Sequence, residues 1–229
     1  METKQRYVII GTSHVSKDSL KIIKETFSDF KPDIIAVELD RQRLYALMHK
    51  EKSKLGFGAI KELGITGYIF ALIGRAIQKK IGDALGMNPG EEMLLGANLA
   101  RNNKLILALI DQDVAVTLRN LSKKVKFKEK FRIFTDLIFS PFKKKEKISF
   151  DISRIPPQEL IEKLMQQMKD KYPGFYRVLL DDRNRHMARK IFVILRDNPE
   201  KKVMAIVGAG HLKGIEHHLK ALQQSNVLP

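Results

Sequence analysis

Tyr7-Val8-Ile9-Ile10-Gly11-Thr12-Ser13-His14, near the start of the chain, and Val203-Met204-Ala205-Ile206-Val207-Gly208-Ala209-Gly210-His211, near its end, decide the fold. Each is a short apolar run, rich in β-branched residues, that passes directly into Gly-x-x-His. Strands of a parallel sheet are buried on both faces and so read as apolar runs without polar alternation. In such sheets the ligand crevice lies outside the carboxyl ends of the strands. If the two strands are parallel and close, His14 and His211 share that crevice. Two unrelated turns could carry the same letters; the matching strand context is what favours a common site.

The chain between them alternates strand and helix. Helical positions Leu20, Ile23, Phe27 and Phe30 share one face, with Thr12 or Ser16 as the expected cap and Lys31-Pro32-Asp33 as the stop. Ile34-Ile35-Ala36-Val37 is a second strand that delivers Glu38, which makes a right-handed βαβ unit. Glu38 to Arg43 opens a helix that buries Leu44, Leu47 and Met48. Asn88-Pro89-Gly90 turns into a helix over Glu91 to Asn102, and Lys104 to Ile110 is a third strand ending in Asp111-Gln112-Asp113. Later helices run from Val114, from Pro156 through Met168, from Phe175 to Arg196 and from Gly214 to about Gln223. The pattern predicts an α/β fold: a three-layer sandwich with a mostly parallel central sheet of about four or more strands. One domain over residues 1–229 is expected, with a helical insertion at about 52–87 and a basic helical segment at about 120–150. The insertion reads equally as core packing, a lid or an oligomer interface, and its apolar residues from Leu63 to Leu85 make a homodimer an expected assembly.

Composition narrows the functional classes. With no cysteine, disulfides and thiolate metal sites are excluded. The N-terminal apolar run is too short for a signal peptide, and no run reaches the ~18–20 residues of a membrane span, so a soluble, cytoplasmic protein is expected. The net charge of +16 draws on Lys123, Lys124, Lys126, Lys128, Lys130, Arg132, Lys143, Lys144, Lys145 and Lys147. Such a field attracts any polyanion. Phe127, Phe131, Phe134 and Phe139, however, stand at near-helical spacing, which predicts a buried face with lysines outside rather than a base-stacking platform. Nucleic acid is therefore not the expected partner, while peripheral contact with an anionic membrane stays open.

Four parallel strands would bring His14, Glu38, Asp111 and His211 to one sheet edge. Imidazole and carboxylate suit a divalent ion (Mn, Co or Zn), with His14, Glu38 and His211 as its ligands. Such an ion would activate water for hydrolysis without a protein nucleophile. The same residues could work without metal, a His taking a proton from water, Glu38 orienting it and Arg183 stabilising the oxyanion. Each candidate has a blander rival. Glu38 could complement a helix dipole, Asp111 and Asp113 could cap a turn, and Arg183 and Arg185 could pair on the surface with Asp181 and Asp182. His217 and His218 read as surface, and His49 and His186 receive no role.

The ordered set Gly11-Thr12-Ser13-His14, Val37-Glu38-Leu39-Asp40, Pro89-Gly90-Glu91-Glu92-Met93, Asp111-Gln112-Asp113 with Thr117-Leu118, Asp182-Arg183-Asn184 and Gly208-Ala209-Gly210-His211 resembles the TraB/PrgY (pheromone-shutdown) family. That family is related to the Tiki metalloproteases and, more distantly, to erythromycin esterases and ChaN-like proteins. The resemblance implies a site of two Gly-x-x-His turns, a strand-end Glu and an Arg. On this chain these are His14, His211, Glu38 and Arg183, with Arg43, Asp111 and Asp113 as expected substrate-binding residues. It also implies either a metal-assisted hydrolase of a peptide, amide or ester bond, or a non-catalytic protein that sequesters a small peptide or cofactor. Gln112 stands where relatives usually carry Arg, and the hydrophobic C-terminal region of many relatives has no counterpart before Pro229, so membrane anchoring is not expected.

Overall fold

The computed structural model describes residues 5–12, 17–49, 64, 67–69, 71–72, 90–139 and 158–225. His14, the Lys143–Lys147 run and most of the expected 52–87 insertion lie outside these residues. Of that insertion, residues 64, 67–69 and 71–72 are described and are helical.

Four strands form one wholly parallel sheet: β1 (Tyr7–Thr12), β2 (Ile34–Val37), β3 (Ile106–Leu109) and β4 (Val203–Gly208). Their order is β1-β4-β2-β3. Strand β4, last in sequence, is central: Tyr7 to Thr12 pair with Val203 to Gly208, and Ile34 to Val37 pair with Val203 to Ile206. The βαβ unit expected of β1 and β2 is thus split by β4, which sets Gly11 and Thr12 alongside Val207 and Gly208.

Every residue of β2 and of β4 is buried, as their unbroken apolar sequences require. Alternation along β4 sends Val203, Ala205 and Val207 to one face and Met204 and Ile206 to the other, where each set joins a separate core. On the first face lie α8 (Asp182–Asp197), through Met187, Ala188, Ile191 and Leu195, and α9 (Ala209–Ser225), through Ile215 and Leu219. On the second lie α1 (Lys17–Phe30), through Ile23 and Phe27, and α3 (Glu91–Asn102), through Met93 and Ala100. The remaining helices are α2 (Arg41–His49), α4 (Val114–Lys124), α5 (Phe127–Phe139), α6 (Gln158–Lys171) and the single turn α7 (Pro173–Tyr176). The result is the three-layer α/β sandwich.

Local departures from the sequence reading have physical causes. Thr12 does not cap α1; it belongs to β1, and its hydroxyl donates to the Val207 carbonyl at 3.1 Å. Lys31 and Lys104, with φ of 49° and 55°, turn the chain after α1 and after α3, so β3 begins only at Ile106. The long helix expected from Phe175 is interrupted by a π-helical stretch, Arg177–Asp181. Helix α9 starts at Ala209, directly off β4, rather than at Gly214. The phenylalanine ridge of α5 is exposed rather than buried: Phe127, Phe131 and Phe134 retain 82%, 61% and 52% of their surface. No helix among the described residues is long and apolar enough to cross a membrane.

Gly96 lets α3 lie close on the sheet. A Cβ there would stand 2.5 Å from Ile206 Cδ1 and 3.0 Å from Val37 Cγ1. Gly96→Val should lower the unfolding free energy by ~1–3 kcal/mol through overpacking, despite its better helix propensity. Urea unfolding at the parent's midpoint would contradict this close contact.

Candidate functional site

The carboxyl ends of β2, β3 and β4 converge on one guanidinium. Glu38 follows β2 and stays in the ladder, its N–H bonded to the Ile206 carbonyl at 3.0 Å. Asp111 follows β3, with its N–H directed at the Leu39 carbonyl at 3.3 Å. His211 stands in the first turn of α9, immediately after β4. Arg183, near the start of α8, reaches all three from the face that α8 and α9 cover.

Each of the five N–H bonds of Arg183 has an acceptor. Nε donates to Asp111 Oδ1 at 3.0 Å, and Nη2 donates to Asp111 Oδ2 at 2.8 Å and to Glu38 Oε1. Nη1 donates to the Leu179 carbonyl at 3.2 Å and to His211 Nε2 at 3.1 Å. Leu179 lies in the π-helical stretch, and wide turns of this kind recur at functional sites because they re-aim backbone groups. Burial alone would depress the guanidinium's pKa, but the charges of Glu38 and Asp111 outweigh it and hold the pKa above its ordinary value.

The carboxylates are equally committed. Glu38, with its side chain 3% exposed, accepts from the Gly208 N–H through Oε2 at 2.7 Å. Its Oε1 lies 3.4 Å from His211 Nε2. Asp111 Oδ1 also accepts from the Gln112 N–H at 2.7 Å, and Oδ2 from Arg43 Nη1 at 2.8 Å. Arg43 is itself fixed by its backbone N–H to Asp40 Oδ1 at 2.8 Å.

The network determines the state of His211. Arginine can only donate, so Nε2 of His211 accepts and the ring proton is on Nδ1. That proton goes to Asn184 Oδ1, 2.6 Å away. Asn184 and His211 are both buried. Gly214 makes this contact fit, because a Cβ there would meet Asn184 Nδ2 at 2.0 Å.

The structure therefore brings together Glu38, Arg183, His211, Asp111 and Arg43. Asp113 turns to its own helix, capping α4 through the Ala115 N–H at 2.7 Å. His14 lies outside the described residues. The surface pairing weighed for Arg183 is made by its neighbours instead: Arg185 bonds Asp181 at 2.9 Å and Lys124 bonds Asp182 at 2.9 Å. His218 is half-buried against Asp181 at 3.1 Å rather than free on the surface. Sequence reasoning gave Asn184 and Gly214 no role, although Asn184 directly follows the site arginine. It also passed over His186; burial, then the charge of Lys190, lowers its pKa.

The sequence model of the TraB/PrgY/gumN family matches residues 2–228. This chain belongs to that family. An uncharacterised protein of Methanocaldococcus jannaschii is 36% identical over 222 residues, covering 95% of this chain and 54% of its own length. The human and mouse proteins named TraB domain-containing protein are 25% and 24% identical over 241 residues, covering 94% of this chain and 63% of their own. The chain thus spans between half and two thirds of the length of these relatives.

The metal expected from the family resemblance can be tested against the donors. A divalent ion held by Glu38 and His211 would need Glu38 Oε1 and His211 Nε2, and both already accept from Arg183. The third expected ligand, His14, lies outside the described residues.

Removing Arg183 would take the guanidinium from buried Glu38 and leave Asp111 with the half-exposed Arg43 alone. Arg183→Met should cost ~3–5 kcal/mol of stability, whereas Arg185→Met, which breaks an exposed pair, should cost under about 1 kcal/mol. Equal losses in chemical denaturation would show that the network carries no such weight.

Proposed function

We propose that the chain is a hydrolase of a peptide, amide or ester bond in which His211 handles the proton and Arg183 the developing negative charge. The observation that supports this most is the bond from Arg183 Nη1 to His211 Nε2. It couples the two roles. On substrate binding Nη1 turns from Nε2 to the carbonyl oxygen, which frees the Nε2 lone pair to take the proton of the attacking water. That N–H then faces the oxyanion as charge develops there. Glu38 Oε1, 3.4 Å from Nε2, stabilises the imidazolium, and Asn184 holds Nδ1–H so that the ring keeps its tautomer. Collapse of the tetrahedral intermediate breaks the bond to the amine or alcohol, which leaves with the proton from Nε2. Asp111 and Arg43 position the guanidinium. Membership of the TraB/PrgY/gumN family is consistent with this reading and leaves the substrate open.

A panel of short peptides, amides and esters, assayed with and without chelator, tests it. Turnover should survive chelation and fall by at least ~10²-fold in His211→Gln and in Arg183→Lys. Turnover that requires added Mn, Co or Zn would replace this mechanism with the metal-assisted one. Peptide binding that persists in Glu38→Gln, with no turnover in either form, would replace it with sequestration.

A further inference from the structure

We propose that the Phe127, Phe131 and Phe134 ridge of α5 docks this protein on an anionic phospholipid bilayer. At 3.6 residues per turn the three rings fall within an arc of about 60°. They are among the most exposed large apolar side chains in the described structure, at 82%, 61% and 52%. A scattered exposed apolar residue needs no explanation, but a contiguous aromatic ridge does.

The rest of α5 shows that the ridge is held outward. Both acidic residues of the helix are used on the opposite side. Glu129 accepts from the backbone N–H groups of Gly174 and Phe175 at 3.1 Å and 2.7 Å. Asp136 accepts from the Tyr172 hydroxyl at 2.7 Å and pairs with Lys171 at 2.8 Å. These four contacts tie α5 to the end of α6 and to α7 and fix its rotation.

The charges bordering the ridge choose the occupant. Lys126 precedes the first turn and Lys128 lies on one flank, both exposed; Lys130 lies on the other, with its amine on the Ser122 carbonyl. An apolar ridge bordered by cations, on a chain of net charge +16, complements a surface that is apolar inside and anionic at its headgroups. Single-stranded nucleic acid calls for a groove that tracks its backbone, whereas this ridge is convex. A second copy of the chain would bring like charges together.

Flotation of the whole chain with phosphatidylcholine vesicles, with and without phosphatidylglycerol, tests the proposal. The protein should float with the mixed vesicles and not with phosphatidylcholine alone. Phe127→Ser/Phe131→Ser/Phe134→Ser should lower the partition coefficient by roughly tenfold or more. Lys126→Glu/Lys128→Glu should lower it at least as far, since each basic residue near such a surface is worth about fivefold. Circular dichroism serves as the folding control, and because no ridge residue bonds Arg183, failure here leaves the hydrolase reading standing. No flotation at low salt, or unchanged flotation of the serine variant, overturns the proposal. So does a ridge-dependent dimer in sedimentation velocity, or ridge-dependent oligonucleotide binding, if either occurs without flotation.

Discussion

Arg183 is where the ends of three strands are joined. Its guanidinium spends two donors on Asp111 Oδ1 and Oδ2, one on Glu38, one on His211 and one on the Leu179 carbonyl. Glu38 and Asp111 carry two negative charges among buried surroundings, and such groups persist only when paired and hydrogen-bonded. Arg183 and the half-exposed Arg43 supply the opposing charges, so the cluster is balanced without a proton on His211. An imidazole left neutral beside a carboxylate is in the state a proton acceptor needs.

This arrangement depends on a long-range feature of the topology. Strand β4 closes the sheet between β1 and β2, so β1 has no strand partner, and β2 only β3, until residue 203 arrives. The same pairing aligns Thr12 with Gly208 and places the Gly208 N–H on Glu38. Fold completion and site assembly are therefore one event. Pairing across almost the whole chain also carries a large loop-closure cost, which places folding toward the slow end for an α/β domain.

Much of this was legible in the sequence. The apolar runs at Ile34 and Val203 identified parallel strands buried on both faces, where polar alternation is absent, and the run at Tyr7 identified a parallel strand that is mostly half-buried. Glu38, Asp111 and His211 could be placed at one edge from their positions after those strands. Strand order was not legible: β4 splits the expected βαβ unit, and no local signal records which strand pairs with which. Arg183 was ambiguous, since Asp181 and Asp182 offered nearby partners at helical spacing. Its place on the face of buried Met187 and Ile191, one and two turns on, is what turns it inward, while Arg185 falls on the other side of the helix. The α5 phenylalanines misled in the opposite sense, because helical spacing reveals an apolar face and says nothing of whether that face finds a partner.

The central claim is that one guanidinium is held rigid by five acceptors on neighbouring elements. Nitrogen-15 NMR of the arginine side chains measures this directly, since a free guanidinium rotates quickly and shows averaged Nη signals. The account predicts that Arg183 gives separate, slowly exchanging Nη proton resonances, and that they are lost together in Asp111→Asn. A single averaged Nη signal for Arg183 in the parent protein, like that of a surface arginine, would contradict it.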